Sequence, residues 1–240
     1  MRFPKLKGPM RLLRKIGLAK RLAPDHANLT DYAALLHLVP GDIAFDVGAN
    51  TGRVARTMAS VAKHVYAFEP NEAVVAELAR ERKANITIIS TAVCDEIGTA
   101  PFYLDERDSL GAVASSLLRL RGMGNCTRVV NVATTTLDRF CDDFGIRPDF
   151  VKIDVEGAEP EVIKGASATI DRCRPKIVFE LWESHWKRFE PMIRFLTKYY
   201  YLIRLSDGSD AVAFYSGNPV NVNGVDDILC LPLHGTGRSR

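Results

Sequence analysis

From residue 41 onward, short apolar runs alternate with amphipathic stretches along the chain. Ile43–Val47, His64–Phe68, Ile86–Thr91, Phe150–Asp154 and Lys176–Glu180 are each short, apolar and rich in β-branched or aromatic residues, the signature of buried strands. Arg53–Ala62 and Glu72–Lys83 fit helices after the first two strands, and Glu159–Ile170 fits one between the fourth and the fifth. Each link is long enough for a right-handed crossover, which predicts a parallel sheet in an α/β fold. Ahead of this core, Tyr32–Leu38 predicts a helix capped by Thr30 or Asp31 and stopped by Pro40-Gly41. Residues 98–149 are less regular: Gly98–Leu104 and Val129–Val132 read as short strands, and Ser109–Asn125 as a substrate-facing insertion. Tyr199–Leu205 and Ala211–Tyr215 flank Asp207-Gly208, which predicts an antiparallel hairpin at the C-terminal end of the sheet.

The chain has 240 residues, 47% apolar and 25% charged, which suits one globular domain and excludes a short disulfide scaffold or a disordered tail. No run of about 18 uncharged apolar residues occurs, so no transmembrane helix is expected. A net charge of +3 gives no support to a nucleic-acid partner. The charge is uneven, however: eight of the 32 basic residues fall within residues 1–21, and all 29 acidic residues follow them. The chain therefore divides into a basic leader with the N-terminal helix, residues 1–40, and a mildly acidic domain, residues 41–240. Arg11, Arg14 and Lys15 interrupt what a signal peptide would need as its apolar stretch, so the protein is expected in the cytoplasm. The leader's cations suit either peripheral contact with an anionic inner membrane face or a merely solvated helix. Cys94, Cys126, Cys141, Cys173 and Cys230 are odd in number and lack a C-x-x-C pair, so neither a zinc cage nor a disulfide framework is indicated.

The first strand runs into Asp46-Val47-Gly48-Ala49-Asn50-Thr51-Gly52 and then a helix. In such a strand-turn-helix, glycines let the backbone approach a ligand, and a carboxylate sits at the carboxyl end of the sheet. Glu69, at the end of the second strand, is placed to accept hydrogen bonds from two ribose hydroxyls. A dinucleotide site would need G-x-G-x-x-G; here Asn50 stands where the second glycine would fall. Asp46 would repel a pyrophosphate but favour a sulfonium cation, which points to S-adenosylmethionine, bound by Asp46, Gly48, Asn50, Gly52 and Glu69. Asp95, after the third strand, fits either recognition of the adenine amino group or a turn before Gly98.

Asp46–Gly52 (DVGANTG), Phe68-Glu69-Pro70, Thr135–Asp138 (TTLD), Val151–Glu159 (VKIDVEGAE) and Lys164-Gly165-Ala166, followed by Arg174-Pro175 and Glu180, resemble the FkbM family of methyltransferases. The resemblance covers about residues 40–232. It implies a Rossmann-like class I methyltransferase with a seven-stranded, mostly parallel sheet. It also implies O-methylation of hydroxyls on sugars, on glycolipid signals such as rhizobial Nod factors, or on polyketides. Two other readings stand beside it: a nicotinamide-dependent oxidoreductase, disfavoured by the missing middle glycine, and a non-catalytic cofactor- or partner-binding module.

The fourth strand alternates Val151, Ile153 and Val155 on one face with Lys152, Asp154 and Glu156 on the other. A central parallel strand is normally apolar on both faces, so these ionisable groups suggest either a site or a Lys152–Asp154 ion pair that closes the sheet end. A sugar hydroxyl is a very weak acid, so a general base within hydrogen-bond reach should aid transfer. Asp154, Glu156 and His185 are the catalytic candidates: Asp154 for orientation or as base, His185 as the residue suited to neutral pH. Glu156 fits equally a turn before Gly157, and Glu159 fits the start of the next helix. Asp154, Glu156, Glu180 and His185 also offer ligands for a divalent cation, but balance against a sulfonium accounts for the acids equally, and no metal is assigned. Trp182, Trp186 and Tyr103 fit either a sugar-stacking surface or packing.

Overall fold

The structure is a computed structural model that describes residues 38–39, 41–105, 115–118, 128–182, 185–217 and 224–233. The basic leader, most of the Tyr32–Leu38 helix, Cys126 and most of Ser109–Asn125 lie outside the described residues. In chain order the elements are β1 (Ile43–Val47), α1 (Arg53–Met58), β2 (His64–Phe68), α2 (Glu72–Arg80), β3 (Ile86–Ile89), β4 (Ala92–Val93), β5 (Gly98–Leu104) and β6 (Arg128–Thr135). They continue with α3 (Leu137–Phe144), β7 (Phe150–Ile153), α4 (Glu159–Lys164), α5 (Ser167–Cys173), β8 (Lys176–Trp182), α6 (Trp186–Leu196), β9 (Tyr200–Arg204), α7 (Ala211–Gly217) and β10 (Val225–Pro232).

Seven strands form one sheet in the order β3-β2-β1-β7-β8-β10-β9. All pairings from β3 to β8 are parallel, and β10 runs antiparallel between β8 and β9. Strand order reverses between β1 and β7, and the carboxyl ends of the strands on either side of such a switch point leave a crevice. A smaller sheet, β4-β6-β5, stands beside this end and supplies a wall to it.

Period-two alternation buries both faces of the large sheet. Phe45, Val47, Val151, Ile153, Ile177 and Phe179 pack beneath Phe140 of α3, Ile170 of α5 and Phe189 of α6. The opposite face, with Ala44, Ala67, Phe150, Val178 and Leu229, packs against Ala55 and Met58 of α1 and Leu78 of α2. On that second face Asp46 and Lys152 occupy adjacent, register-paired positions where aliphatic residues would be expected, and both are buried.

The strands β1 and β2 coincide with the apolar runs read from sequence. The expected helix over Glu159–Ile170 is instead two short helices broken at Gly165-Ala166. A Cβ on Gly165 would stand 2.0 Å from the Cys94 carbonyl oxygen, so the break lets this turn lie against the chain after β4. Residues 128–149 are more regular than expected, because α3 starts at a Thr136 side-chain cap on Arg139 N and ends at left-handed Gly145. Ala211–Tyr215 is not the return strand of a hairpin. The Asp207-Gly208 turn forms, but its return arm ends after one bridge, Ile203 to Asp210, and Asp210 then caps Ala213 N at 2.9 Å to start α7. The antiparallel partner of β9 is β10. Among the described residues no helix is long and apolar enough to cross a membrane.

Candidate active site

Where β1 ends, the chain turns through three left-handed residues, Gly48 (φ 76°), Asn50 (φ 50°) and Gly52 (φ 82°). A side chain at Gly48 is excluded on two grounds: its φ is unfavourable, and its Cβ would stand 1.8 Å from the Asp154 carbonyl oxygen. The loops after β1 and β7 therefore touch backbone to backbone. Gly48 N and Ala49 N both donate to the Phe68 carbonyl, tying the same loop to the end of β2. Gly52 precedes α1 with its Cα against Leu78, behind the loop.

Glu69 is held from two sides. Asn50 N donates to its Oε2 at 3.0 Å, and Asn71 N donates to its Oε1 at 2.9 Å. Burial pushes its carboxyl up to about 7, although these two hydrogen bonds and the Lys152 ammonium oppose the rise. Each oxygen keeps a second lone pair, and Glu69 lines a cleft of about 300 Å³ together with Gly48, Asn50, Phe102 and Leu117.

The far wall is the turn after β7. Lys152 points into the crevice with its Nζ 3.0 Å from the Gly48 carbonyl, 3.1 Å from Asp154 Oδ2 and 3.4 Å from Asp46 Oδ1. Burial alone would lower its pKa; the Asp154 and Asp46 carboxylates outweigh that and hold it above the ordinary lysine range. Asp46 is fully buried behind the cleft, its oxygens have no hydrogen-bond partner among the described residues beyond the ion pair with Lys152, and burial raises its pKa. Asp154 and Glu156 line the cleft, with Glu156 left-handed at φ 54° and Gly157 at φ 92°. That unusual turn is held from below by Glu159, wholly buried, whose Oε1 accepts from Val155 N at 3.0 Å and Gly157 N at 3.2 Å. Burial pushes the Glu159 carboxyl up to about 8. From above, Ser116 Oγ donates to the Val155 carbonyl at 3.1 Å, and Ser116 and Tyr103 exchange two backbone hydrogen bonds.

The expected site residues thus divide. Gly48, Asn50, Glu69, Asp154 and Glu156 converge on one cleft; Asp46 and Gly52 shape it from behind. Asp95 lies outside it, with Oδ2 2.6 Å from Lys164 Nζ, so its carboxylate is engaged on the outer side of α4. His185 also lies outside the cleft lining: it precedes α6 and its ring stacks on Trp182 with centroids 5.8 Å apart. Lys152, Glu159 and Ser116 complete the site. Lys152 was signalled by its place in an apolar strand; Ser116 carries no comparable pattern. Among the described residues no group of His, Cys, Asp and Glu side chains is arranged to hold a metal ion.

A parallel sheet with this order, one antiparallel strand before its edge, and a nucleoside-sized cleft bounded by a strand-end acid define a Rossmann-like class I methyltransferase. The sequence profile of the methyltransferase FkbM domain matches residues 46–203, and the chain belongs to the FkbM methyltransferase family. Among curated proteins none matches it in sequence. Among solved structures it is similar to methyltransferase FkbM from Methylobacillus flagellatus KT, at 14% identity and a TM-score of 0.52. That alignment covers 80% of this chain and 44% of the other, so the chain spans less than half the length of that relative. An rRNA methylase from Streptococcus thermophilus aligns at 11% identity and a TM-score of 0.49, over 88% of this chain and 98% of its own. Precorrin-6y C5,15-methyltransferase from Geobacter metallireducens aligns at 15% and 0.46, over 84% and 87%.

The cofactor is S-adenosylmethionine, and the cleft's own features fit it. Glu69 offers free lone pairs for ribose hydroxyls, side-chain-free Gly48 lets a ligand approach backbone, and among the described lining residues carboxylates outnumber the cations Arg53 and Lys152.

Proposed function

We propose that this protein transfers a methyl group to a hydroxyl of a sugar, glycolipid or related natural product. Bound in the cleft, S-adenosylmethionine supplies a methyl group on a cationic sulfur, open to displacement by a nucleophile. Glu69 and the Asn50 backbone hold the nucleoside end, and the Gly48–Asn50 turn faces the methionyl end. Phe102 and Leu117 give the cleft an apolar wall that excludes water.

The observation that supports a hydroxyl acceptor is the set of carboxylates at the ends of β7 and β8. An amine attacks through a lone pair it already carries, whereas a hydroxyl sheds a proton as it is methylated and is served by a proton acceptor beside it. Asp154 lines the cleft, its side chain 38% exposed, and Lys152 fixes one of its oxygens. Its remaining oxygen is suited to accept a hydrogen bond from the acceptor and orient it.

Mass spectrometry of glycans and glycolipids from cells with and without the protein tests this reading. The expected result is a species that loses one O-methyl group when the protein is absent; unchanged glycans and glycolipids, with the missing methyl found on nitrogen or carbon elsewhere, would contradict it.

A further inference from the structure

We propose that Glu180 is the general base that takes the acceptor's proton and that Trp182 holds its carboxylate for the task. This rests on the hydroxyl-acceptor reading above.

The pairing of β7 with β8 sets Ile153 opposite Phe179, which brings Asp154 and Glu180, the next residue of each strand, side by side at the carboxyl end of the sheet. Alternation places Glu180 on the face of Val178, Lys152 and Asp46, the face that opens into the crevice. Trp182 follows on the same face, and its indole N–H donates to Glu180 Oε2 at 2.6 Å. Oε1 has no hydrogen-bond partner among the described residues. The side chain is half-buried. One oxygen is thus anchored and the other is left for a proton.

The other candidates are less suited. Asp154 Oδ2 is engaged by Lys152 at 3.1 Å. Glu156 belongs to the left-handed turn that Glu159 holds, and the His185 ring is stacked on Trp182. Among the described residues the charged groups around Glu180 are Lys152 of β7, Asp154 just after it, Asp227 directly opposite on β10, and Glu159 at the start of α4. Burial pushes the Glu180 carboxyl up to about 7 and Asp154 adds to the rise, while the Trp182 bond and Lys152 oppose it. A base in this range is about half ionised at neutral pH and basic enough to accept a proton in the transition state. In the step, the acceptor O–H bond breaks and its proton ends on Glu180 Oε1. The electron pair left on oxygen forms the new bond to the methyl carbon, and the former carbon–sulfur pair stays with sulfur.

Two measurements test the assignment. In the free protein, the ¹⁵N signal of the Trp182 indole N–H should titrate with a midpoint near 7 and cease to titrate in Glu180→Gln. With labelled S-adenosylmethionine and a glycan and glycolipid extract, Glu180→Gln should lower kcat by roughly 10²–10⁴-fold with its Kd for S-adenosylhomocysteine unchanged, the unchanged Kd showing that the site is folded. Trp182→Phe should lower kcat, because Glu180 loses the bond that orients it, and move the acidic limb of the pH–rate profile upward, because that bond also lowers the Glu180 pKa. A Trp182 signal that does not titrate near neutral pH overturns the role. So does label on oxygen at wild-type rate in Glu180→Gln, with the hydroxyl reading intact. Label from the wild-type protein found only on nitrogen or carbon overturns the hydroxyl reading and the base with it.

Discussion

Replacing Glu159 by glutamine removes one ionisation and little else. Glu159 Oε1 accepts the Val155 and Gly157 N–H groups, and the amide carbonyl of glutamine can accept the same pair, while Oε2 is buried without a hydrogen-bond partner among the described residues. Burial raises the carboxyl from 4.5 to about 8. Below pH 4.5 it is protonated in both folded and unfolded chains. Between 4.5 and 8 the folded chain binds the proton that the unfolded chain has released, so this group's contribution to stability falls as pH rises and levels off above 8. At about 1.4 kcal/mol per pKa unit, the loss across that window is on the order of 5 kcal/mol. Glu159→Gln has no such loss. Urea unfolding of both proteins at a series of pH values should give near-equal stabilities at the acid end, with the variant ahead by several kcal/mol above pH 8. The comparison cancels the contributions of Glu69 and Asp46, which titrate in both. Glu159→Ala, which leaves two buried N–H groups without an acceptor, should be destabilised at every pH by about 1–3 kcal/mol per group. Parallel pH–stability curves for wild type and Glu159→Gln would refute the buried, proton-holding carboxyl.

Three further outcomes follow from the cleft. Glu69→Ala should weaken S-adenosylhomocysteine binding in calorimetry by about 1.5–3 kcal/mol for each hydrogen bond lost to the charged group, and wild-type affinity should fall as pH drops below about 7, a dependence the variant lacks. Gly48→Ala places a methyl group 1.8 Å from a backbone carbonyl at a positive φ, so thermal unfolding should show a loss of at least about 3 kcal/mol and calorimetry no cofactor binding. Lys152→Met leaves Asp46 buried without a counter-charge and should cost about 3–5 kcal/mol in denaturant unfolding, most of it recovered in Asp46→Asn/Lys152→Met.

The strands at the centre of the sheet were legible because each is a short apolar run cut off by glycine, proline or a charged residue, as in Ile43–Val47 before Gly48. The helix α3 was not read: Leu137, Phe140, Cys141 and Phe144 recur at helical spacing behind the Thr136 cap, but eight residues inside an irregular stretch form a weak signal. Ala211–Tyr215 misleads because AVAFY has neither period, and what decides it is a single side-chain cap from Asp210. Within the site, the glycine turn and Glu69 are local and were read directly. Lys152 is different: alternation shows which way it points, but its partners Asp46 and Gly48 lie more than a hundred residues earlier and meet it only through β1–β7 pairing. The position of Asp95 was not legible for a related reason. After β3 the chain passes through β4 into the small sheet, which carries Asp95 to Lys164 and away from the cleft. His185 sits at a helix start whose direction only the packing of α6 defines.

The central claim, that this cleft moves a methyl group from S-adenosylmethionine to a hydroxyl, is tested most directly by tracing the methyl group itself. Purified protein is incubated with S-adenosylmethionine deuterated in its methyl group and with a glycan and glycolipid extract, and the labelled product is located by mass spectrometry and NMR. The expected product is a deuterated methyl ether on a sugar or glycolipid oxygen, formed by the wild-type protein and not by Gly48→Ala. Label on nitrogen or carbon, or cofactor bound and returned with its methyl group intact, would contradict it.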